Sequence, residues 1–107
     1  DYGFVSGCSS HADRLATIRD VWQRYGMMID THTADGVRVA REHRVAGLPM
    51  IVLETAQAVK FAETIREALD REPVRPKELE GIENLPQKVE VVDAALDQVK
   101  DIIVRHC

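Results

Sequence analysis

A chain of 107 residues supports one domain with a modest hydrophobic core and leaves little for a second. Charged residues make up 30% of it, both signs are mixed along its length and the net charge is -4, which excludes the basic stripe that a nucleic-acid backbone requires. No apolar stretch approaches the roughly 20 residues that span a bilayer, so no membrane partner is expected.

The opening Tyr2-Gly3-Phe4-Val5-Ser6-Gly7 lacks the basic start and long apolar body of a signal peptide, and a chain beginning at Asp1 rather than Met reads as a piece of something longer. Cys8 and Cys107 stand at opposite ends, neither a disulfide framework nor a metal spacing, and predict a reduced, cytoplasmic setting. Ser10 and Asp13 have the spacing of a capping box with Asp in place of Glu. Leu15, Ile18, Val21, Trp22 and Tyr25 then recur at helical intervals, predicting a first helix that ends at Gly26. Met27 to Ile29 is too short for periodicity to classify and is expected to be a brief strand or an extended link. Residues 30–36 are rich in capping side chains and lead into a second helix over 37–43, with Gly36 weakening its first turn.

Arg44 to Gly47 turns the chain back toward its longest apolar run. Met50 to Leu53 is apolar without alternation, the pattern of a short strand buried on both faces of a parallel sheet, and Pro49 suits its first position. Glu54-Thr55-Ala56-Gln57 then puts small and polar side chains at the strand's C-terminal edge, where open α/β sheets present ligand-binding groups. Phe61, Ile65, Ala68 and Leu69 mark a third helix that must stop near Arg71, ahead of Pro73 and Pro76. Residues 77–80 suit one helical turn, with Ile82 and Leu85 expected to pin this excursion to the body. Residues 87–92 alternate like a strand, and Asp93 suits the N-cap of a last helix. Leu96, Val99, Ile102 and Ile103 form that helix's expected buried face, with Asp97 and Asp101 meeting Lys100 and Arg105. The expected fold class is α/β, with short, mostly parallel strands covered by helices in a single segment over residues 1–107.

His11, His32, His43 and His106 are far apart and none belongs to a pair with ligand spacing, so no metal is expected. The dispersed glycines form no phosphate-cradling loop, and neither cysteine lies at a positively charged helix start that would make it a nucleophile. Glu54, Glu63 and Asp30 are conceivable acids or bases, but most carboxylates in so charged a chain are solvated or paired. The Thr55 hydroxyl has two readings: a cap for the following helix, which physics alone favours, or a hydrogen-bonding partner of a bound heterocycle. His32 and Thr33 admit the same pair, as caps of the second helix or as groups facing a ligand at its N-terminus.

Asp30-Thr31-His32-Thr33-Ala34 and Pro49-Met50-Ile51-Val52-Leu53-Glu54-Thr55-Ala56-Gln57-Ala58-Val59-Lys60-Phe61 resemble the C-terminal part of bacterial threonine synthase. The similarity runs along the whole chain, through residues 35–44 and 63–69 to the Leu85-Pro86 strand entry. Members of that family are pyridoxal-phosphate (PLP) enzymes of the tryptophan synthase β-like fold, fold type II. They are carbon–oxygen lyases that convert O-phosphohomoserine and water into L-threonine and phosphate. The resemblance implies that this chain is a C-terminal fragment of such a domain, that its partner is the remainder of the enzyme, and that PLP belongs to the parent rather than to the fragment alone.

A family segment reading Thr-Ala-His-Pro-Ala-Lys-Phe is matched at Thr55, Ala56, Lys60 and Phe61, while Gln57, Ala58 and Val59 depart from it. In related enzymes a Ser or Thr at this strand end hydrogen-bonds the pyridine nitrogen, and Thr55 matches that cofactor-binding position, which reverses the preference for a cap. Its neutral hydroxyl would moderate the ring's electron-sink character. Asp30, His32, Thr33 and Lys60 are the substrate-side candidates that the resemblance supplies. The family's Schiff-base lysine lies in a Phe-Lys-Asp setting, whereas Lys60, Lys77, Lys88 and Lys100 have no such neighbours. The family's glycine-rich phosphate loop is also missing. No catalytic residue is therefore expected on this chain, and the fragment alone is expected to be inactive. The rival class is a stand-alone, non-catalytic α/β domain that binds a protein or a small metabolite. An apolar face severed from its partner layer would in either case favour self-association.

Overall fold

Helices and short 3-10 turns make up the regular structure of residues 3–106, which are the residues described by the computed structural model. Helix α1 (His11–Tyr25) starts as its sequence predicts. The Ser10 hydroxyl accepts the Asp13 amide at 3.2 Å and the Asp13 carboxylate accepts the Ser10 amide at 3.0 Å, a complete capping box. At the other end Gly26 adopts φ 65° and donates its amide to the Trp22 carbonyl at 2.9 Å, a left-handed cap that glycine takes without steric cost.

Helix α2 (Thr31–Glu42) begins more than a turn before the expected Val37, because Asp30 caps it and Thr31, Thr33 and Ala34 are buried. Polar character had masked an inward-facing turn. A 3-10 turn over Ala58–Phe61 leads into α3 (Ala62–Leu69), which ends at Asp70 in the left-handed region, with the Asp70 amide bonded to the Arg66 carbonyl. The last helix is α4 (Leu96–His106).

The chain divides into two compact units, Asp1–Lys77 and Glu78–Cys107. In the first, α1 packs against both α2 and α3. Leu15, Ile18 and Val21 of α1 meet Ile29, Ala34 of α2, and Ile65 and Ala68 of α3 in one core, with Ile18 and Ile65 fully buried. Burying each of the larger side chains contributes about 1.5–3 kcal/mol. Polar ties fix how the helices sit. Arg14 forks onto Asp35 through Nε at 3.1 Å and Nη2 at 2.6 Å, joining α1 to α2. Arg19 donates to the carbonyls of Ala68 at 2.8 Å and Glu67 at 3.0 Å, satisfying backbone acceptors that the end of α3 leaves open.

No strand forms among the described residues, so the short, mostly parallel strands expected are not present in this chain by itself. Residues 27–29, 50–53 and 87–92 lie outside every helix and pair with nothing. A strand is completed by a neighbour's N–H and C=O groups, and these segments find no such neighbour here. The run read as buried on both faces is instead open: Met50 is 46%, Ile51 81% and Leu53 76% exposed. Val52 alone of that run is half-buried.

In the second unit the helical period of α4 is present without the burial it implied. Leu96, Val99 and Ile103 are all exposed, and so are Ile82 and Leu85, which were expected to be pinned down. A unit this small has too little apolar surface to cover a helix face. Arg105 reaches Glu90 at 3.2 Å rather than an acidic side chain of its own helix. Cys8 is an exposed free thiol, whereas Tyr2 and Cys107 lie outside the described residues. Among the described residues no helix is long and apolar enough to cross a membrane, and no group of His, Cys, Asp or Glu could hold a metal ion.

Candidate functional site

The apolar run and its polar elbow lie along the N-terminal half of α2. Gly36 is the point of contact on the entry side. A Cβ built there would stand 3.1 Å from Val52 Cγ1, so the missing side chain lets the extended segment approach the helix closely. On the exit side the His32 ring meets the Phe61 ring edge-on, with 5.0 Å between centroids and an interplanar angle of 63°. Thr55, Gln57 and Lys60 lie between these contacts in sequence, and all are exposed.

Thr55 follows the extended run as expected, but it caps nothing, since neither the 3-10 turn nor α3 has a side-chain cap. The capping alternative is thereby removed. Lys60 sits in the 3-10 turn with its amide bonded to the Gln57 carbonyl at 3.1 Å, which makes the elbow a tight local structure.

Asp30, His32 and Thr33 are brought together by the start of α2. The Asp30 carboxylate has no exposed surface and accepts the His32 amide at 2.8 Å, the Thr33 hydroxyl, and His32 Nδ1 at 3.2 Å. Burial by itself would raise this carboxyl, but the hydrogen bonds from Thr33 and His32 outweigh it and hold it below the ordinary carboxylate value. An ionised carboxylate only accepts, so Nδ1 of the His32 ring carries a proton and donates it to Asp30. The imidazole is therefore oriented from beneath by a buried anion while its side chain remains 62% exposed.

Asp35, one turn along, is likewise held low: burial opposes ionisation, but the Arg14 guanidinium overrides it. Two shallow clefts open along the elbow segment. One of about 240 Å³ has Arg44, Leu48 and Met50 in its wall, and another of about 170 Å³ has Glu54, Gln57 and Pro76. Neither encloses a small molecule within this chain.

The structure thus groups Asp30, His32 and Thr33, and links them through Phe61 to the turn that carries Lys60. It shows no contact from that group to Thr55. Sequence reasoning passed over Gly36, read as a weak point of a helix, and Phe61, read as a core residue. A glycine inside a helical pattern was the available signal, since such a position marks close packing when it is not an end.

The family model described as threonine synthase, C-terminal, matches residues 33–103. Threonine synthase of Methylobacillus glycogenes is 58% identical over 106 residues, covering 99% of this chain and 22% of that protein. That of Corynebacterium glutamicum is 51% identical over 105 residues, covering 97% of this chain and 22% of its own length. Among solved structures, PLP-bound threonine synthase from Brucella melitensis superposes with a TM-score of 0.76 at 33% identity, over 94% of this chain and 22% of that one. The chain spans about a fifth of the length of these relatives.

Proposed function

The chain belongs to the threonine synthase C-terminal family, and from that premise we propose that it is the C-terminal part of an enzyme that converts O-phosphohomoserine and water into L-threonine and phosphate. The observation that carries this reading is 58% identity along 99% of the chain to one fifth of a threonine synthase. PLP is the cofactor of the assembled enzyme, and its ring supplies the electron sink for the reaction.

The donor set on this chain fits a supporting role toward that group. Thr55 is exposed, follows an extended run and is not consumed as a cap, so its hydroxyl is free to meet the ring nitrogen. A neutral hydroxyl, unlike a carboxylate, does not hold a full proton on that nitrogen. Asp30, itself bonded by the Thr33 hydroxyl, holds His32 on the substrate side of the same wall, and Lys60 extends from the turn beside it. The reactive lysine belongs to the rest of the enzyme, because no lysine here stands in a Phe-Lys-Asp setting.

The same reading accounts for the unpaired run. Residues 50–53 become a strand when the remainder of the enzyme supplies neighbours on both edges, and residues 1–107 act as one segment of that domain. The exposure of Ile51 and Leu53 supports this.

In the full-length enzyme, Thr55→Val is expected to lower turnover by at least about tenfold while shifting the melting temperature by no more than a few degrees. Unchanged turnover with PLP bound removes Thr55 from the site. The isolated chain, incubated with PLP and O-phosphohomoserine, is expected to release no phosphate; stoichiometric turnover there overturns the assignment of the reactive lysine to another segment.

A further inference from the structure

Two contacts tie the Thr55 elbow to α2, one on each side of it in sequence. Val52, three residues before Thr55, lies against Gly36, where an added Cβ would be 3.1 Å from Val52 Cγ1. Phe61, which ends the 3-10 turn after Thr55, lies against His32 with 5.0 Å between ring centroids. The His32 ring is itself fixed, since the fully buried Asp30 carboxylate takes both its backbone amide at 2.8 Å and its Nδ1 at 3.2 Å. Gly36 and His32 are one turn apart on α2, so the two contacts fall on the same side of that helix.

We infer that Gly36 and His32 are positioning residues that clamp the 52–61 segment onto α2 and thereby set where the Thr55 hydroxyl is presented. The inference rests on the proposal that Thr55 meets the cofactor ring.

Each half of the clamp has a distinct physical basis. At Gly36 it is the absence of a side chain. The backbone there is ordinary helix, so glycine is not needed for its conformation, and the close approach of Val52 is the remaining reason for it. At His32 it is orientation. An imidazole whose side chain is 62% exposed would sample several rotamers, but the Asp30 carboxylate selects one, and that rotamer packs its edge on Phe61. Thr55 itself caps neither the 3-10 turn nor α3, so it is placed through its chain neighbours, among them Ala58, which packs against the core. Placement of its hydroxyl therefore depends on where Val52 and Phe61 are held. A reacting group displaced by about an ångström loses about a hundredfold in rate, so shifts of a few tenths of an ångström are large enough to measure.

The test uses the full-length enzyme that contains this segment, with PLP as the probe. PLP affinity is measured by titrating the apoenzyme and following the cofactor's visible absorption, together with kcat and KM for O-phosphohomoserine and the melting temperature. Gly36→Ala and His32→Leu are each expected to weaken PLP binding or lower kcat by about tenfold with KM changed less than threefold. Val52→Ala added to Gly36→Ala removes the methyl that the new Cβ meets, and is expected to restore both quantities to within about threefold of the parent. A merely structural role for Gly36 predicts that the melting temperature falls in Gly36→Ala and recovers with Val52→Ala, while PLP affinity and kcat of the folded enzyme stay at the parent's values throughout.

Gly36→Ala and His32→Leu variants that bind PLP and turn over like the parent, in an enzyme where Thr55→Val does not, overturn the clamp. Failure of Val52→Ala to rescue Gly36→Ala overturns its Gly36 half. Phe61→Leu, which removes the other ring of the contact, decides the other half even if Gly36→Ala fails to fold: a loss like that of His32→Leu supports the clamp, and PLP affinity and kcat like the parent's overturn its His32 half. If Thr55→Val itself leaves PLP affinity and kcat unchanged, the reading of Thr55 fails and the clamp fails with it.

Discussion

The Asp30 carboxylate accepts the backbone amide of His32 at 2.8 Å from a position that solvent does not reach. It closes the first turn of α2 and at the same time receives the Thr33 hydroxyl. Asp30→Ala removes the cap and strands a buried hydroxyl, and is expected to destabilise the first unit by about 2 kcal/mol in urea unfolding. Thr33→Val keeps the cap and is expected to cost less than Asp30→Ala.

Acid sensitivity follows from the same carboxylate. Asp30 ionises more readily in the folded chain than its ordinary value of 3.8, and so does Asp35. A group depressed in the folded state contributes stability that is complete above its unfolded value and is lost as pH falls through its folded one. Stability is therefore expected to hold at neutral pH and to decline as pH falls through about 4 and below. In Asp30→Asn the decline is expected to be shallower, which urea midpoints measured between about pH 3 and pH 7 will test; an identical slope would assign the acid loss to other carboxylates.

Arg14 and Asp35 join α1 to α2 through a forked contact in which each side chain is 29% exposed. A double-mutant cycle with Arg14→Met and Asp35→Asn is expected to return a coupling of about 1 kcal/mol, above the value of an ordinary surface pair because the geometry is bidentate and partly desolvated. Raising the salt concentration to about 1 M should reduce the coupling without abolishing it.

Ile65 and Ile51 carry the same side chain into opposite environments, one fully buried and the other 81% exposed. Ile65→Ala is expected to cost about 3 kcal/mol of stability and Ile51→Ala less than about 0.5 kcal/mol. The exposed run has a different effect. With Ile51 and Leu53 presented on unpaired backbone, the isolated chain is expected to associate as concentration rises, and Ile51→Lys with Leu53→Lys should suppress that association in sedimentation velocity. A clean monomer at high concentration would show that the run does not self-pair.

Legibility in the sequence varied with the range of the interaction that each residue makes. Ser10, Asp13 and Gly26 bound α1 as read, since caps and left-handed stops involve neighbours within four residues. The amphipathic period of α3 likewise placed Ile65 and Ala68 in the core. The start of α2 was missed because Thr31 and Thr33 are polar by type, and only the packed core shows them to be buried. At the candidate site, Asp30, His32 and Thr33 were visible as a group through both capping chemistry and resemblance. Phe61 and Gly36 were not, since one touches a residue 29 positions away and the other a residue 16 positions away, by subtraction of their numbers.

By itself the sequence determined where α1 begins and ends and which family the chain resembles, because capping, turn chemistry and motif identity are carried by residues adjacent in the chain. Tertiary structure alone decided that Met50 to Leu53 is open rather than buried, and that Thr55 is suspended between two contacts with α2. Both depend on surfaces brought from elsewhere: a run of apolar residues becomes a buried strand only when other backbone pairs with its edges, and a hydroxyl is placed only by what grips the chain on either side of it.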